Sequence, residues 1–387
     1  MIRAETIQKK GEFTRQAGRQ MAGDLVRQLG RPPDACWLFC SPQKNMESFV
    51  QGVYDAAGTP HLVGCTTDGE ITGNGFSTGS AVLGGVVSNQ IRFEVAAAAG
   101  VGADSEGAGR RLAESFSGPV RCIQLFSDGI TGNGSAILRG MGSVIGTEVP
   151  VSGGTAGDAG KFRKTWQFHG NRVLSDAAVA IAFSGRFALG TGVRSGWSPI
   201  GLPKRVTRAS GNVLYELNGE PALSVYERFL GKHAERLPTV GVEYPLGLIG
   251  QLDGDAENDH LLLRATMSVN REDGSIRFAG EVPEGAMVYL TCGDRSSILD
   301  ATEEAVRMAL ENLGEAANPA LVFFYSCMAR KILLGLRTKE EIERVRSVID
   351  PGVPVLGFYS YGEYCRASPE GPSLLHNETA TLSIIGT

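Results

Sequence analysis

The sequence lacks any apolar run of the ~18 residues that a membrane-spanning helix needs. Its longest small-apolar run, 95–103, is mostly alanine and glycine. The N-terminus carries Arg3, Glu5, Lys9 and Lys10 with no apolar stretch behind them, so a secretory signal is not expected. There is no excess of positive charge: 37 Lys and Arg stand against 42 Asp and Glu, a formal net charge of −5. That argues against nucleic acid, whose phosphates need a basic surface. No polybasic cluster is present that would hold the chain to an anionic membrane. Cysteine is sparse, seven scattered residues and an odd number, which fits reduced thiols and a cytoplasmic location better than a disulfide frame. Cys-x-x-Cys is absent, as is a histidine pair at helical ligand spacing, so no zinc site is expected. Cys36 and Cys40 share one face of a strand and fit buried structural thiols at least as well as ligands.

What is abundant is glycine, 52 of 387 residues, nearly twice the usual ~7%. Tight turns or close backbone approaches would use it. Apolar residues make up 42% and charged residues 20%, an ordinary globular balance. The length predicts two or three domains of roughly 100–200 residues each.

Along the chain, apolar residues at spacing four (Phe13, Ala17, Met21, Leu25, Leu29) predict a helix over 13–29, stopped by Gly30 before Pro32 and Pro33. Strand-like runs follow at 35–40, 61–66, 81–87, 91–96, 121–126, 177–183, 261–269, 287–292, 320–325 and 379–385. Helical patterns interleave at 46–57, 108–116, 135–145, 222–231, 297–313 and 339–349. The alternation predicts a mixed α/β protein.

The chain also repeats itself. Gly64 to Glu70, Ser152 to Asp158 and Gly357 to Glu363 share a hydroxyl, a glycine and an acid at one spacing: Thr67/Gly69/Glu70, Thr155/Gly157/Asp158 and Ser360/Gly362/Glu363. Upstream of each lie a strand, a helix and a proline (Pro60, Pro150, Pro354); downstream lies another strand. This predicts three copies of a strand–helix–strand–strand unit. A degenerate fourth copy can be drawn through 222–231, 245–247 and 261–269. Two readings of the motif stand side by side. The hydroxyl and acid can cap turns by local hydrogen bonds, or three such loops can line a pocket around a shared cleft for a small polar ligand.

Catalytic patterns fail. Gly75 to Gly79 matches Gly-x-Ser-x-Gly at Ser77, but a strand follows where a nucleophile elbow needs a helix, so a hairpin is the better reading than a hydrolase. Residues 157–161 end like a phosphate loop but lack its first glycine and its magnesium hydroxyl. The acidic loop with Asp253, Asp255, Glu257 and Asp259 has the wrong residues for a calcium loop. The five histidines are His61, His169, His233, His260 and His376, and no triad can be drawn through them. A non-enzymatic protein is expected.

The motifs nonetheless form a known constellation. Gly64-Cys65-Thr66-Thr67-Asp68-Gly69-Glu70, Gly153 to Asp158, and Gly192 through Gly201 resemble the N-terminal FIST domain. Tyr215 through Ala222, Ser326-Cys327-Met328-Ala329-Arg330, Gly357 through Glu363, and His376-Asn377-Glu378-Thr379 resemble the C-terminal one. The similarity spans about 30–387 in the family's order. It implies a FIST N-like domain at 30–218 and a FIST C-like domain at 219–387, two related α/β domains, and the apolar spacing ahead of them makes 1–29 an expected N-terminal helix segment.

FIST stands for F-box and intracellular signal transduction, and the resemblance implies a sensory module that binds small ligands. The family occurs beside histidine kinases and cyclic-di-GMP enzymes, which are the implied partners; a homodimer is left open. One branch, the NosP-type proteins, binds haem and senses nitric oxide, and a free-standing chain of this length is similar to it. Haem needs an axial ligand in an apolar pocket. His233 and His61 lie outside the general family motifs and are the candidate iron ligands, whereas His376 belongs to a general motif and is expected to be structural. For a polar metabolite such as an amino acid, the expected ligand residues are Thr67, Glu70, Thr155, Asp158, Ser360, Glu363 and Arg330. Cys65 and Cys327 lie in motif loops and would be redox-active if exposed and of low pKa.

Overall fold

The computed structural model describes residues 2–250 and 261–387. The acidic loop 253–259 and His260 lie outside the described residues. The mixed α/β class is present, and the threefold repetition organises it: three six-stranded sheets share one strand plan. Each starts at an edge strand (Ile2–Lys10, Ile91–Ala99, Ala188–Arg194). Antiparallel to it lies the unit's last strand (Ser80–Ser88, Ala177–Gly185, Ala380–Gly386). Next comes a central strand (Ala35–Cys40, Cys122–Ser127, Pro319–Cys327), parallel to the motif strand (Leu62–Thr66, Val151–Thr155, Val355–Ser360).

The two remaining strands of every sheet come from another unit. The hairpin Glu70–Thr72/Gly75–Ser77 leaves the first unit and pairs with Val355–Ser360 of the third. The hairpin Gln167–His169/Arg172–Leu174 leaves the second and pairs with Leu62–Thr66 of the first. The hairpin Glu363–Arg366/Ser373–His376 leaves the third and pairs with Val151–Thr155 of the second. The exchange closes on itself, so every sheet is completed by a neighbour.

Strand alternation divides the core. In Ala35–Cys40, Trp37 and Phe39 face inward while Cys36, Leu38 and Cys40 face the helices Arg15–Leu29 and Met46–Ala57. The inward faces of all three sheets meet in one aromatic core. Phe39 lies 5.2 Å from Phe126 and 4.7 Å from Phe358, and Trp37 lies 5.0 Å from Phe323. Among the described residues these side chains fill the place where the three sheets meet, where the repeats suggested a shared cleft. The parallel pair of each unit also carries a glycine at one position: a Cβ on Gly64, Gly153 or Gly357 would meet the facing carbonyl oxygen at 1.8, 2.1 or 1.6 Å. Three close backbone approaches account for part of the glycine excess.

Local signals place the helices well. Arg15–Leu29 is capped by Thr14, whose hydroxyl accepts from Ala17 N, and ends at Gly30 with φ 79°. The expected helix segment 1–29 is therefore corrected: Ile2–Lys10 is an edge strand paired with Ser80–Ser88, and the helix begins only at Arg15.

The proposed fourth copy does not exist. Between Trp197–Ser210 and Met287–Gly293, the described residues form an antiparallel sheet with the helix Ala222–Leu230 and their own apolar core. The sheet is inserted into the third unit between its edge strand and the helix Arg295–Leu313. Residues 261–269, read as one strand, are two: Leu262–Arg264 pairs with Leu246–Leu248, and Thr266–Asn270 pairs with Ser275–Phe278.

Candidate functional site

The motif loops do converge. Asp68 N donates to Tyr359 O, Gly157 N to Thr66 O and Thr155 N to Gly362 O, at 2.9, 2.9 and 2.7 Å. A Cβ on Gly157 would stand 2.8 Å from Asp68 N, so this crossing needs glycine.

The expected ligand residues mostly face inward and bond one another. Thr67 Oγ1 donates to Glu70 Oε1 at 2.5 Å, and Ser41 and Ser80 hydroxyls complete the carboxylate's shell. Ser360 Oγ donates to Glu363 Oε1 at 2.6 Å, joined by Thr379 Oγ1 at 2.8 Å. Both carboxyls are fully buried, and burial pushes them up, Glu363 to about 8. These are internal clamps, the turn-capping alternative raised by the sequence. Arg330 is equally internal. It is fully buried, pairs with Glu341 at 2.9 Å, and donates to Ser195 O at 2.5 Å and Ile298 O at 2.7 Å.

The second copy departs from the other two. Strand register aligns Cys40, Ser127 and Ser326 through their partners Ala81, Ala178 and Ala380. That alignment makes Thr67 equivalent to Ser360 and to Ala156, so Thr155 and Asp158 stand one place off the clamp. Asp158 takes a different task. It accepts from the Tyr361 hydroxyl at 2.5 Å and from the backbone N–H groups of Lys161, Phe162, Arg163 and Lys164. Burial pushes its carboxyl up, but these donors outweigh burial and hold it below its ordinary value.

Around Asp158 lies a cluster that sequence reasoning missed. Lys331 Nζ sits 2.5 Å from Asp68 Oδ2, donates also to Asp68 O, and stands over the Tyr359 ring at 5.6 Å. The Lys331 side chain keeps 19% of its exposure while Asp68 keeps 4%. Burial pushes the Asp68 carboxyl up against the pull of Lys331, and Asp158 adds to the rise. Exposed Phe162 stacks on Tyr361 at 4.5 Å beside Lys161 and Arg163. Asp68 is inside the first motif and Lys331 follows the Ser326–Arg330 motif, but 263 positions separate them.

The candidate iron ligands lie apart from this cluster and from each other. His61 is half-buried in an open groove of about 420 Å³, and His233 is not among its lining residues. Its Nδ1 lies 2.8 Å from Asp34 O. A carbonyl only accepts, so in the neutral ring the proton is on Nδ1 and the Nε2 lone pair is free, the arrangement of a metal-binding imidazole. Pro32, Pro33, Pro60, Ile91 and Phe93 supply apolar wall and Arg92 supplies positive charge, while Arg31 is paired with Asp34 of the same groove at 2.7 Å. The residue types at His61 fit a haem. Those at His233 do not: it is exposed on the short 3-10 turn Gly231–Arg236. No group of three His, Cys, Asp or Glu is gathered for a metal among the described residues.

The other singled-out groups are internal. His376 Nε2 lies 3.0 Å from Cys365 O, and burial lowers its pKa to about 4. Cys65 and Cys327 are buried with thiols pushed well up by burial, which corrects the redox expectation. Ser77 ends a hairpin strand and bonds Gln8 and Ser80. Among the described residues, no helix is long and apolar enough to cross a membrane.

Comparison with known proteins agrees with the motifs. Residues 34–220 match the FIST N domain and residues 222–366 match the FIST C domain. An uncharacterized protein of Methanocaldococcus jannaschii is 23% identical over 92% of this chain and 71% of its own length. An uncharacterized protein of Mycobacterium tuberculosis is 25% identical over 62% of each chain, so this chain spans less than two thirds of that relative. A cyanuric acid hydrolase from A. caulinodans aligns over 100% of this chain and 99% of its own at 9% identity with a TM-score of 0.40, a likeness too low to carry any statement about chemistry. With both domain patterns matched in the family's order over 34–366, the chain belongs to the FIST family, whose domains are sensor domains of signalling proteins.

Proposed function

We propose that this chain is an intracellular small-ligand sensor, that it senses nitric oxide through a haem held at His61, and that it regulates a histidine kinase or a cyclic-di-GMP enzyme. The observation that carries the haem reading is the imidazole of His61, anchored through Nδ1 to Asp34 O at 2.8 Å in a groove with apolar wall and Arg92. Haem, when bound, supplies the iron that takes the diatomic gas. The chain's part is to orient the His61 ring, which Asp34 O does at Nδ1, while Thr59 Oγ1 accepts from the His61 backbone N–H and donates to the same Asp34 carbonyl. Titrating haemin into the purified protein and recording its absorption, before and after a nitric-oxide donor, tests this. A sharp Soret band that His61→Ala abolishes and His233→Ala leaves is expected. No specific band, or one indifferent to His61, overturns it.

The Asp68–Lys331 cluster favours a second reading, a zwitterionic metabolite such as an amino acid. Lys331 offers an ammonium to a carboxylate, and Asp68 offers a carboxylate to an amine, while Asp158 is saturated by Tyr361 and four backbone N–H groups. A ligand that binds only the folded state raises its melting temperature. An amino-acid panel should then contain a stabilising member whose effect Lys331→Met removes; no shift with any member ends this reading.

A further inference from the structure

Glu378 occupies an unusual place. It is fully buried, its φ is 61°, and neither carboxylate oxygen has a hydrogen-bond partner. Strand register makes it equivalent to Gly79 of the first unit (φ 68°) and Asp176 of the second (φ 50°), so the left-handed turn belongs to the repeat. Gly79 brings no side chain. Asp176 Oδ1 accepts from Gly102 N at 2.7 Å and Thr131 Oγ1 at 3.0 Å. Only the third unit places a carboxylate here without a donor.

The surroundings do not supply one. Glu363 and Arg330 are the charged groups acting on Glu378. Arg330 is committed to Glu341, Ser195 O, Ile298 O and Thr302. Glu363 repels, and each of its oxygens already holds a hydroxyl, from Ser360 or Thr379. The neighbouring Asn377 Oδ1 is also buried without a partner. Burial first, and then the neighbouring Glu363, push the Glu378 carboxyl well up, so the bare site favours the neutral acid, whereas a bound cation would hold the carboxylate. A buried carboxylate without donors is strongly unfavourable.

We propose that Glu378 is the anionic ligand of a buried alkali-metal cation, sodium or potassium, in the third unit. Carboxylate and amide oxygens are hard ligands that suit such ions and not the softer transition metals. One unbalanced negative charge calls for one positive charge. A divalent ion would draw on several acidic ligands, and no group of three His, Cys, Asp or Glu is assembled among the described residues.

Melting the full chain in sodium, potassium and choline chloride at equal ionic strength tests this. A saturable rise with sodium or potassium over choline is expected, on the order of 5 °C at a hundredfold excess over the dissociation constant. Glu378→Gln should lose the difference between salts. Should that variant fail to fold, crystals of the unaltered protein soaked in rubidium decide the matter by an anomalous peak beside the Glu378 carboxylate. Equal melting in all three salts, or no rubidium at Glu378, overturns the proposal and leaves water or a proton as the occupant.

Discussion

Lys331 and Asp68, 263 positions apart, form an ion pair of 2.5 Å that ties the third unit to the first. The Asp68 end is buried and the Lys331 end reaches solvent, so removing the lysine leaves a buried carboxylate uncompensated. Lys331→Met is expected to destabilise by about 2 kcal/mol, less than for a fully buried pair because Lys331 is partly solvated. Asp68→Asn in that background should recover part of the loss. A denaturation double-mutant cycle measures it, and additive effects would mean the pair contributes nothing.

Gly157 is expected to tolerate no side chain. Its Cβ would stand 2.8 Å from Asp68 N and 3.0 Å from the Thr67 carbonyl carbon, atoms of a backbone crossing that cannot swing aside. Gly157→Ala should destabilise by about 1–3 kcal/mol. Gly23, inside the helix Arg15–Leu29, meets nothing closer than Arg27 Nη1 at 3.9 Å. Gly23→Ala should leave stability unchanged or raise it by up to about 1 kcal/mol. Urea midpoints of the two variants make the comparison.

The exchanged hairpins predict that neither half folds alone. A fragment ending at 218 lacks Glu363–His376, which completes the sheet of the second unit. A fragment starting at 219 lacks Glu70–Ser77, which completes the third. Each fragment alone should give poorly dispersed amide spectra and no cooperative melt. Co-expression should restore both. A cooperative melt of the 1–218 fragment by itself would contradict the interlock.

His376 supplies a pH dependence of definite sign. Its pKa in the folded protein is about 4, below the ordinary 6.5. The unfolded chain therefore binds the proton first, and stability falls as pH drops from 6.5 towards 4, with no contribution above 6.5. Glu363, raised to about 8, acts in the opposite sense between 4.5 and 8. The comparison must therefore be between the unaltered protein and His376→Gln, whose acid limb should be shallower. Parallel limbs would remove His376 as the cause.

Much of the local structure was legible in the sequence because its determinants are local. The helix Met46–Ala57 and the strand Ala35–Cys40 fall where periodicity puts them. The repeated Gly64, Gly153 and Gly357 mark one backbone crossing used three times. The candidate site was legible only in part. Thr67 and Ser360 were aligned correctly, but Thr155 was aligned one residue away from its structural counterpart. A spacing pattern cannot register strands, whereas the pairing of Ser127 with Ala178 does.

By itself the sequence determined most of the helices and the strands of the repeated units, their threefold repetition and the membership of the FIST family, since periodicity, caps and motif order reside in neighbouring residues. Tertiary structure alone decided which unit completes which sheet, that 197–293 is an inserted sheet and no fourth copy, and that Asp68 meets Lys331. It also decided that Glu70 and Glu363 are each clamped by buried hydroxyls and that Arg330 is buried against Glu341. The physical reason is common to all of these. A hairpin's edge can pair with any compatible strand, and a carboxylate can find a hydroxyl or solvent, until packing the three aromatic faces around Phe39, Phe126 and Phe358 leaves one arrangement.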